Sequence, residues 1–308
     1  MTTNLWAWGG FLLFIFAMLA IDLGLFHKVE HEVSTREASI WTVVWVTLAL
    51  LFNAGLWRLR GPEPALQFLT GYLIEYSLSV DNIFVFIMLF SYFQVPMKHR
   101  HRVLFWGILG ALVMRATLIG VGTALINRFH WVIYIFGAFL VYSAFKMAMS
   151  GEGGEEPENN AVVRLFRRTF PVTERYHKEK FFIKQDHRWL ATPLFIVLLV
   201  VETTDVMFAL DSIPAIFAIT TDAFIVFTSN VFAILGLRSL YFLLDGIMGL
   251  FRYLKIGLSV VLGFIGIKML TSSLLEIPIV VSLGVVAGIL VISVLLSVLI
   301  PEKRKTEE

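Results

Sequence analysis

"LIEYSLSVDNIFV" (73–85) places two carboxylates, Glu75 and Asp81, inside a long apolar run. The whole chain is similarly apolar, since 58% of its 308 residues are hydrophobic and only 16% are charged. A soluble domain of this length needs more polar surface, so the composition is typical of an integral membrane protein. A charge at the centre of a bilayer costs about 2.5 to 3.5 kcal/mol on insertion scales, so two acids in such a run indicate a functional site.

Apolar segments of membrane-crossing length recur along the chain. A helix needs about 20 apolar residues to cross the hydrocarbon core of a bilayer. The sequence contains nine such segments, approximately at residues 5–26, 38–57, 65–93, 103–126, 131–149, 191–219, 222–245, 254–274 and 278–300. We therefore predict an all-α integral membrane protein with about nine transmembrane helices.

The distribution of Lys and Arg predicts how these helices are oriented, because cytoplasmic connections collect basic residues. With the N-terminus outside, 18 of the 25 Lys and Arg residues fall in inner connections and three fall in outer ones. We therefore predict the N-terminus outside and the C-terminus inside. The four remaining basic residues lie inside predicted helices and are Arg115, Lys146, Arg238 and Lys268.

The acidic motif occurs twice. "EYSLSVDNI" (75–83) and "DVMFALDSI" (205–213) share the order acid, five residues, Asp, amide or hydroxyl, Ile. After each motif, the next helix carries an intramembrane arginine and the helix after that carries a lysine. Because the predicted topology runs the two triplets in opposite directions, we predict inverted repeats formed by helices 3–5 and helices 6–8. Such repeats are typical of secondary transporters, with the binding site at the repeat interface.

These patterns divide the chain into five parts. They are two N-terminal helices (1–64), the first repeat (65–149), a basic connection (150–190), the second repeat (191–274), and the last helix with a cytoplasmic tail (275–308). The connection begins with the acidic segment "SGEGGEEPENN" (150–160) and is too short for a domain of its own. We expect its basic part to lie in the cytoplasm against anionic lipid headgroups. A net charge of +2 gives no indication of nucleic-acid binding.

Oxygen-bearing side chains of helices 3 and 6 are the predicted metal ligands. They are Glu75, Asp81, Asn82, Glu202, Asp205, Asp211 and Ser212. Such ligands suit Mg, Ca and Mn, while the absence of cysteine and of mid-membrane histidine argues against zinc and copper(I). The four intramembrane bases are expected to pair with the acids or to gate the site, because cations repel a metal ion. Five acids and four bases leave one net negative charge, so entry of a divalent ion requires release of a proton or of a salt bridge. Proton-coupled exchange is therefore a hypothesis.

Helix geometry limits how these ligands meet. At about 100° per residue, Asp81 is rotated away from Glu75, and Asp211 points roughly opposite to Glu202. We therefore predict that one or both helices are interrupted, near Asp81 in helix 3 and near Asp211 in helix 6. Pro214, one turn after Asp211, removes a backbone donor there. The alternative is that Glu75 and Glu202 serve a second site or pair with the arginines of the following helices.

Several segments are similar to one known family. "GYLIEYSLSVDNIFVFIMLFSYF" (71–93), "VETTDVMFALDSIPAIFAITTDAFIVFTSNVFAILGLRSLYF" (201–242) and "IGIKML" (265–270) resemble the TerC family, named for tellurium resistance, and most closely its Alx-like bacterial branch. The resemblance covers essentially the whole chain and places the seven predicted ligands at the family's acidic motif positions. It implies a multi-pass bacterial inner-membrane protein, distantly related to LysE-type exporters, with manganese(II) efflux as its activity. Older naming of the branch also implies a redox-modulating role.

The leading hypothesis is a secondary transporter, not an enzyme, that exports Mn(II) and holds no tightly bound cofactor. One alternative is an intramembrane aspartyl enzyme, but its usual GxGD context is absent and two aspartates do not explain four buried bases. The other alternative is a redox modulator. Because the chain has no cysteine, it could act in this way only indirectly, by setting the level of a redox-active metal. Besides the metal ion and the bilayer, the expected partner is a second copy of the chain, because Gly284 and Gly288 form a small-xxx-small pair that favours close helix contact within or between subunits.

Overall fold

The computed structural model describes residues 5–26, 34–149, 161–173, 175–177, 179–185, 188–244, 253–275 and 277–299, without the side chains of residues 21–26, 81, 84 and 161. This part of the chain is mainly helical. Its helices are α1 Leu5–Phe26, α2 Thr35–Arg60, α3 Pro62–Tyr92, α4 Met97–Arg128, α5 Val132–Met149, α6 Ala161–Thr169, α7 Pro193–Phe217, α8 Ala223–Leu244, α9 Leu254–Leu270 and α10 Ile279–Leu299, and its strands are β1 Phe182–Gln185 and β2 Arg188–Ala191. All nine apolar segments of the sequence are therefore helical.

Seven helices of the described residues are long and apolar enough to cross a membrane, namely α2, α3, α4, α5, α7, α8 and α10. Two further helices have shorter apolar stretches than these seven in the described residues. The apolar stretch of α1 is Leu5–Ala20, and α9 has 17 residues. A multi-pass arrangement follows from the seven, while a count of nine stays a prediction.

The junction between α2 and α3 is a single residue. Ser34 caps the start of α2 by accepting a hydrogen bond from the backbone N–H of Glu37 at 3.2 Å. The helix ends at Gly61, which has a φ of 93° and donates its N–H to the Trp57 carbonyl at 3.1 Å. Pro62 then begins α3, since its fixed φ suits the first helical position. Glycine is required at this joint because L side chains rarely adopt that conformation.

Helix α8 is the centre of the bundle. In the apolar window of α8, 94% of residues are buried, and the helix packs against α2, α3 and α4. Aromatic side chains fill the space around one half of it, where the Phe232 ring lies 5.0 Å from the ring of Phe52 and 5.9 Å from that of Phe68. This central position explains why apolar residues occur on every side of α8, since a helix surrounded by other helices buries all its faces.

The largest helix contact joins α5 to α9. Two glycines allow their backbones to approach closely. A Cβ added at Gly266 would lie 2.9 Å from the carbonyl oxygen of Gly137, and one added at Gly137 would lie 3.1 Å from the carbonyl oxygen of Gly266. Small residues at a membrane helix interface serve this purpose, because van der Waals contact replaces the hydrophobic effect there.

The predicted interruption of the acid-bearing helices is wrong. Helix α3 continues through Asp81, and α7 continues through Asp211 and Pro214 to Phe217. Pro214 lies close enough to the end of α7 that its missing N–H removes one hydrogen bond from the last turns without ending the helix. A continuous helix satisfies its backbone groups within the segment, which an apolar surrounding favours. Polar groups must therefore be brought together by packing several helices.

The basic connection is more ordered than the sequence predicted. Its acidic start, 150–160, lies outside the described residues, but α6 and the antiparallel pair β1–β2 follow. The rings of Phe166, Phe181 and Phe182 lie 5.2, 6.2 and 4.5 Å from that of Phe195 in α7. This segment therefore packs on the end of the bundle where α3 ends and α4 and α7 begin, which we call the loop-bearing end. We still expect the outer surface of this segment to contact lipid headgroups.

Gly284 and Gly288 do not mediate helix contact within the described part of the chain, since a Cβ added at either position meets no atom within 4 Å. The described residues therefore give no support to an intrachain contact at this pair. Contact between two copies of the chain stays a prediction, and α10 presents an open face at which it could form.

We expect Gly137→Ala to lower the free energy of unfolding by about 1 to 3 kcal/mol, because the new Cβ presses on the α9 backbone. Gly120→Ala in α4 is the matched control, since a Cβ there meets open space and alanine has the higher helix propensity. Thermal unfolding of the purified protein in detergent measures both. Equal stability of the two variants would contradict the close α5–α9 contact.

Candidate functional site

Four buried polar side chains from four helices meet near the middle of the bundle. We call this group the arginine cluster, and its members are Glu75 of α3, Arg115 of α4, Asp205 of α7 and Asn230 of α8. None of the four is more than 7% exposed. The sequence predicted three of them as charged site residues, and Glu75 pairs with Arg115 as the alternative hypothesis proposed.

The Arg115 guanidinium holds both carboxylates. Its Nε and Nη2 donate to Oδ2 and Oδ1 of Asp205 at 3.2 and 2.9 Å, which is the paired geometry that a planar guanidinium favours. Its Nη1 donates to Oε1 of Glu75 and also to Oδ1 of Asn230, the latter at 3.2 Å. Asn230 completes the ring by donating Nδ2 to Oε2 of Glu75 at 2.9 Å. Each carboxylate is therefore fixed by at least two donors.

The cluster carries an excess of negative charge. One guanidinium, which stays protonated in proteins, faces two carboxylates. Glu202, one helical turn before Asp205, brings a third acid within electrostatic range of Asp205. Within the described structure its Oε2 is buried and has no hydrogen-bond partner. Burying such charge is costly unless a cation or a proton compensates it.

The Glu202 carboxylate lies against the backbone of α4. A Cβ added at Gly110 would overlap this carboxylate, so the absence of a side chain at position 110 makes room for it. Glycine here is explained by this close approach between a carboxylate and a helix backbone.

Asp211 belongs to a second polar locus. It lies six residues beyond Asp205, which is about 9 Å along α7 and about 240° around it. Ser143 of α5 donates its hydroxyl to Oδ1 of Asp211 at 2.7 Å. Lys146, one turn further along α5, attracts the same carboxylate electrostatically. We call Ser143, Lys146 and Asp211 the serine–lysine locus.

The remaining predicted residues are placed as follows. Asn82 and Ser212 are buried, and the Ser212 hydroxyl has no hydrogen-bond partner within the described structure. Asp81 is part of α3, but its side chain is among those not described. Arg238 is buried in α8, and Lys268 donates to the Ser282 hydroxyl of α10 at 2.8 Å.

The assignment of the seven predicted ligands to one metal centre stays a prediction, and the described part of the chain gives no direct support for it. No three His, Asp or Glu side chains there lie close enough together to hold a metal ion, and this set leaves out the side chain of Asp81. The helices instead distribute the acids between the arginine cluster and the serine–lysine locus. An ion moving from one to the other would pass along α7.

Asn230 and Ser143 were missed by the sequence analysis. Asn230 ends the run "TSN" (228–230), three polar residues in an otherwise apolar helix. The hydroxyls of Thr228 and Ser229 donate to carbonyls of their own helix at 3.3 and 3.1 Å, so only the amide reaches across to other helices. An isolated amide in an apolar segment was the available signal, and the same signal had identified Asn82.

Comparison with known proteins places the chain in a family. Residues 60–305 match the family described as "Integral membrane protein TerC family". The chain belongs to this family. No solved structure matches it significantly. The match covers α3 to α10 and so includes both the arginine cluster and the serine–lysine locus.

Two similar relatives of this TerC-family chain span nearly its whole length. "Uncharacterized membrane protein STKORF319" of Myxococcus xanthus is 54% identical over 292 residues, covering 95% of this chain and 92% of the relative. "Putative membrane-bound redox modulator Alx" of Escherichia coli K12 is 51% identical over 299 residues, covering 94% of this chain and 93% of the relative. Together with the seven apolar helices, these matches identify a multi-pass integral membrane protein with Alx homologues.

We expect Arg115→Gln to lower the free energy of unfolding by about 3 to 5 kcal/mol, because Glu75 and Asp205 would remain buried without their cation. Arg58→Gln at the exposed end of α2 removes the same charge and should change stability by no more than about 0.5 kcal/mol. Thermal unfolding in detergent compares them. An Arg115→Gln protein as stable as the control would contradict the cluster.

Gly110→Ala is expected to cost about 1 to 2 kcal/mol, because the added methyl group displaces the Glu202 carboxylate. In a Glu202→Ala background the same substitution should cost much less, since the opposing group is gone. A double-mutant cycle of thermal unfolding measures this coupling. Equal costs in both backgrounds would show that the two positions do not touch.

Proposed function

We propose that this TerC-family protein is a secondary transporter of the bacterial inner membrane that exports divalent metal ions, with Mn(II) as the transported ion. The observation that carries the proposal is the charge in and beside the arginine cluster, where one guanidinium faces the carboxylates of Glu75 and Asp205, and Glu202 adds a third acid within electrostatic range of Asp205. Buried oxygen ligands with excess negative charge suit a hard divalent cation. The expected relation to LysE-type exporters is part of the same proposal.

Helix contacts support the inverted repeats. If the two triplets are repeats, α3 corresponds to α7, α4 to α8 and α5 to α9. Exchanging the corresponding helices converts the α3–α8 contact into an α7–α4 contact, and both contacts exist. The same exchange leaves the α3–α7, α4–α8 and α5–α9 contacts unchanged and converts α5–α7 into α9–α3. A pseudo-twofold axis between the triplets has this effect. It supports α9 as a membrane span beside α5, while the proposed orientation with the N-terminus outside rests on the distribution of Lys and Arg. In this proposal the arginine cluster lies at the repeat interface, where transporters of this type bind their substrates.

The clustered charges also suggest how transport is coupled. Arg115 already neutralises one of the two carboxylates that it holds, and Glu202 has an unsatisfied oxygen. A divalent ion that binds here displaces either a proton from a carboxyl group or the guanidinium from its partners. Exchange of metal for protons therefore keeps the buried charge small in both directions of the cycle.

A redox role follows from the same activity. The relative from E. coli carries the name of a redox modulator, and the present chain has no cysteine with which to perform thiol chemistry. Export of a redox-active metal changes the redox state of the cell without any redox group in the protein. This proposal includes no enzymatic activity, and the two Asp205 oxygens are both engaged by Arg115, away from Asp211.

Mn(II) uptake into inverted membrane vesicles tests the function. We expect uptake with the wild-type protein, because export from the cytoplasm is uptake in that orientation. Asp81→Ala and Asp211→Ala should each lower the initial rate by about tenfold or more, as loss of a ligand or its support does. Glu63→Ala removes an exposed carboxylate from the first turn of α3 and should leave the rate unchanged.

The outcomes separate the site from the function. No uptake by the wild type would overturn Mn(II) export. Unchanged uptake in both aspartate variants would remove Asp81 and Asp211 from the transport path and leave the activity intact. An acid interior should accelerate uptake, and an ionophore that dissipates the pH gradient should abolish this acceleration. The same rate with and without the pH gradient would reject proton coupling but would leave the proposal of Mn(II) export in place.

A further inference from the structure

A cavity of about 810 Å³ lies at the loop-bearing end of the bundle. It is an open pocket lined by the end of α3, the start of α7, Arg167 of α6 and the chain between α6 and β1. Its polar lining comes from Gln94, Arg167, Thr173, Arg175 and Tyr176, and among the described residues no carboxylate lines it. The charged side chains that line it in the described part of the chain are therefore both basic.

Hydrogen bonds hold the walls of the cavity in place. The Tyr176 hydroxyl donates to the carbonyl of Phe93 at 2.6 Å, just beyond the end of α3. Burial raises the pKa of the Tyr176 phenol, so the hydroxyl remains a donor. The chain then turns at Gln94, which has a φ of 50°. Opposite, Thr192 fixes the start of α7 by donating its hydroxyl to the Lys180 carbonyl at 2.7 Å.

The start of α7 adds to the positive potential. Pro193 begins the helix at the cavity wall, and its first turn contains no acidic residue. A helix N-terminus carries roughly half a positive charge and favours anions near it. This effect acts in the same direction as the two arginines, so the cavity suits a phosphate-bearing anion.

The surface beside the cavity is suited to lipid. Helix α6 exposes 43% of Val162 and 65% of Leu165 next to its arginines, one of which is Arg167 of the cavity wall. A short basic helix with exposed apolar side chains is typical of a membrane interface. Trp189 of β2, 59% exposed at the same end of the bundle, belongs to the residue type that anchors proteins at that depth.

We propose that this cavity binds the phosphate headgroup of an anionic phospholipid, whose acyl chains lie along the exposed apolar side chains of α6. Arg167 of α6 and Arg175 of the chain between α6 and β1 contact the phosphate. The bound headgroup joins the end of α3 to the start of α7, the two helices that carry the acids of the arginine cluster. Lipid composition thereby affects how firmly these two helix ends are held together.

The test uses the purified full-length protein in detergent with phosphatidylglycerol, phosphatidylcholine or inorganic phosphate as probes. Native mass spectrometry measures binding, and thermal unfolding measures its effect on stability. We expect phosphatidylglycerol to bind at least about tenfold more tightly than phosphatidylcholine and to raise the melting temperature. Equal binding of the two lipids by the wild type would overturn the proposal without recourse to any variant.

Matched variants test the cavity itself. Arg167→Gln combined with Arg175→Gln should weaken phosphatidylglycerol binding about tenfold or more, and both side chains are exposed, so the fold does not depend on burying them. The control combines Arg164→Gln with Arg168→Gln, which removes the same charge from α6 outside the cavity and should retain binding. An equal loss of phosphatidylglycerol affinity in both double variants would overturn the specific site, because it would show a diffuse attraction of the lipid to the basic surface.

Inorganic phosphate distinguishes a lipid from a soluble ligand. It shares the charge of the headgroup and lacks the acyl chains, so we expect it to compete with phosphatidylglycerol only at concentrations more than about tenfold higher. Stabilisation by phosphate equal to that by the lipid, abolished in the cavity variant, would assign the site to a soluble phosphate compound and overturn the lipid proposal.

Discussion

The guanidinium of Arg115 contacts three other helices from a fourth, and the centre of the bundle depends on it. Without this cation, Glu75 and Asp205 would be two buried carboxylates repelling each other across the α3–α7 boundary. With it, they become hydrogen-bond acceptors that draw α3, α4, α7 and α8 together. The same contact that stabilises the bundle therefore also holds the acids on which the proposed transport depends, so stability and that proposed activity compete for one side chain.

This competition gives the metal hypothesis a physical form. A divalent ion that enters the cluster has to attract carboxylate oxygens away from Arg115, and Asn230 is placed to hold Glu75 while that happens. Asp211 lies apart from the cluster, with a hydroxyl and an ammonium group for neighbours instead of a guanidinium. Two loci of different strength along α7 are consistent with an ion that must both bind and leave.

Sequence patterns predicted the helices well because bilayer thickness sets the length of apolar segments. They also identified Glu75, Arg115 and Asp205 as candidate site residues, since a charged residue is conspicuous in an apolar segment. Asn230 was missed because its partners come from distant segments. Pro214 suggested an interruption that does not occur, because its effect depends on how close it lies to the helix end. The order in 161–191 was missed for a similar reason, since its aromatic side chains pack on Phe195, outside that segment.

Gly61 constrains how such a bundle can move. Helices α2 and α3 meet at one residue whose conformation few other residues adopt, and the neighbouring Arg60 is tied to Asp222 just before α8 by a salt bridge of 3.1 Å. At that end, α3 has no slack with which to slide along its axis. A rotation of α3 about this fixed point would displace the helix more as the distance from Gly61 increases. Such a rotation would move the far end of α3 most, at the loop-bearing end where α3 meets the start of α7 and the segment 161–191.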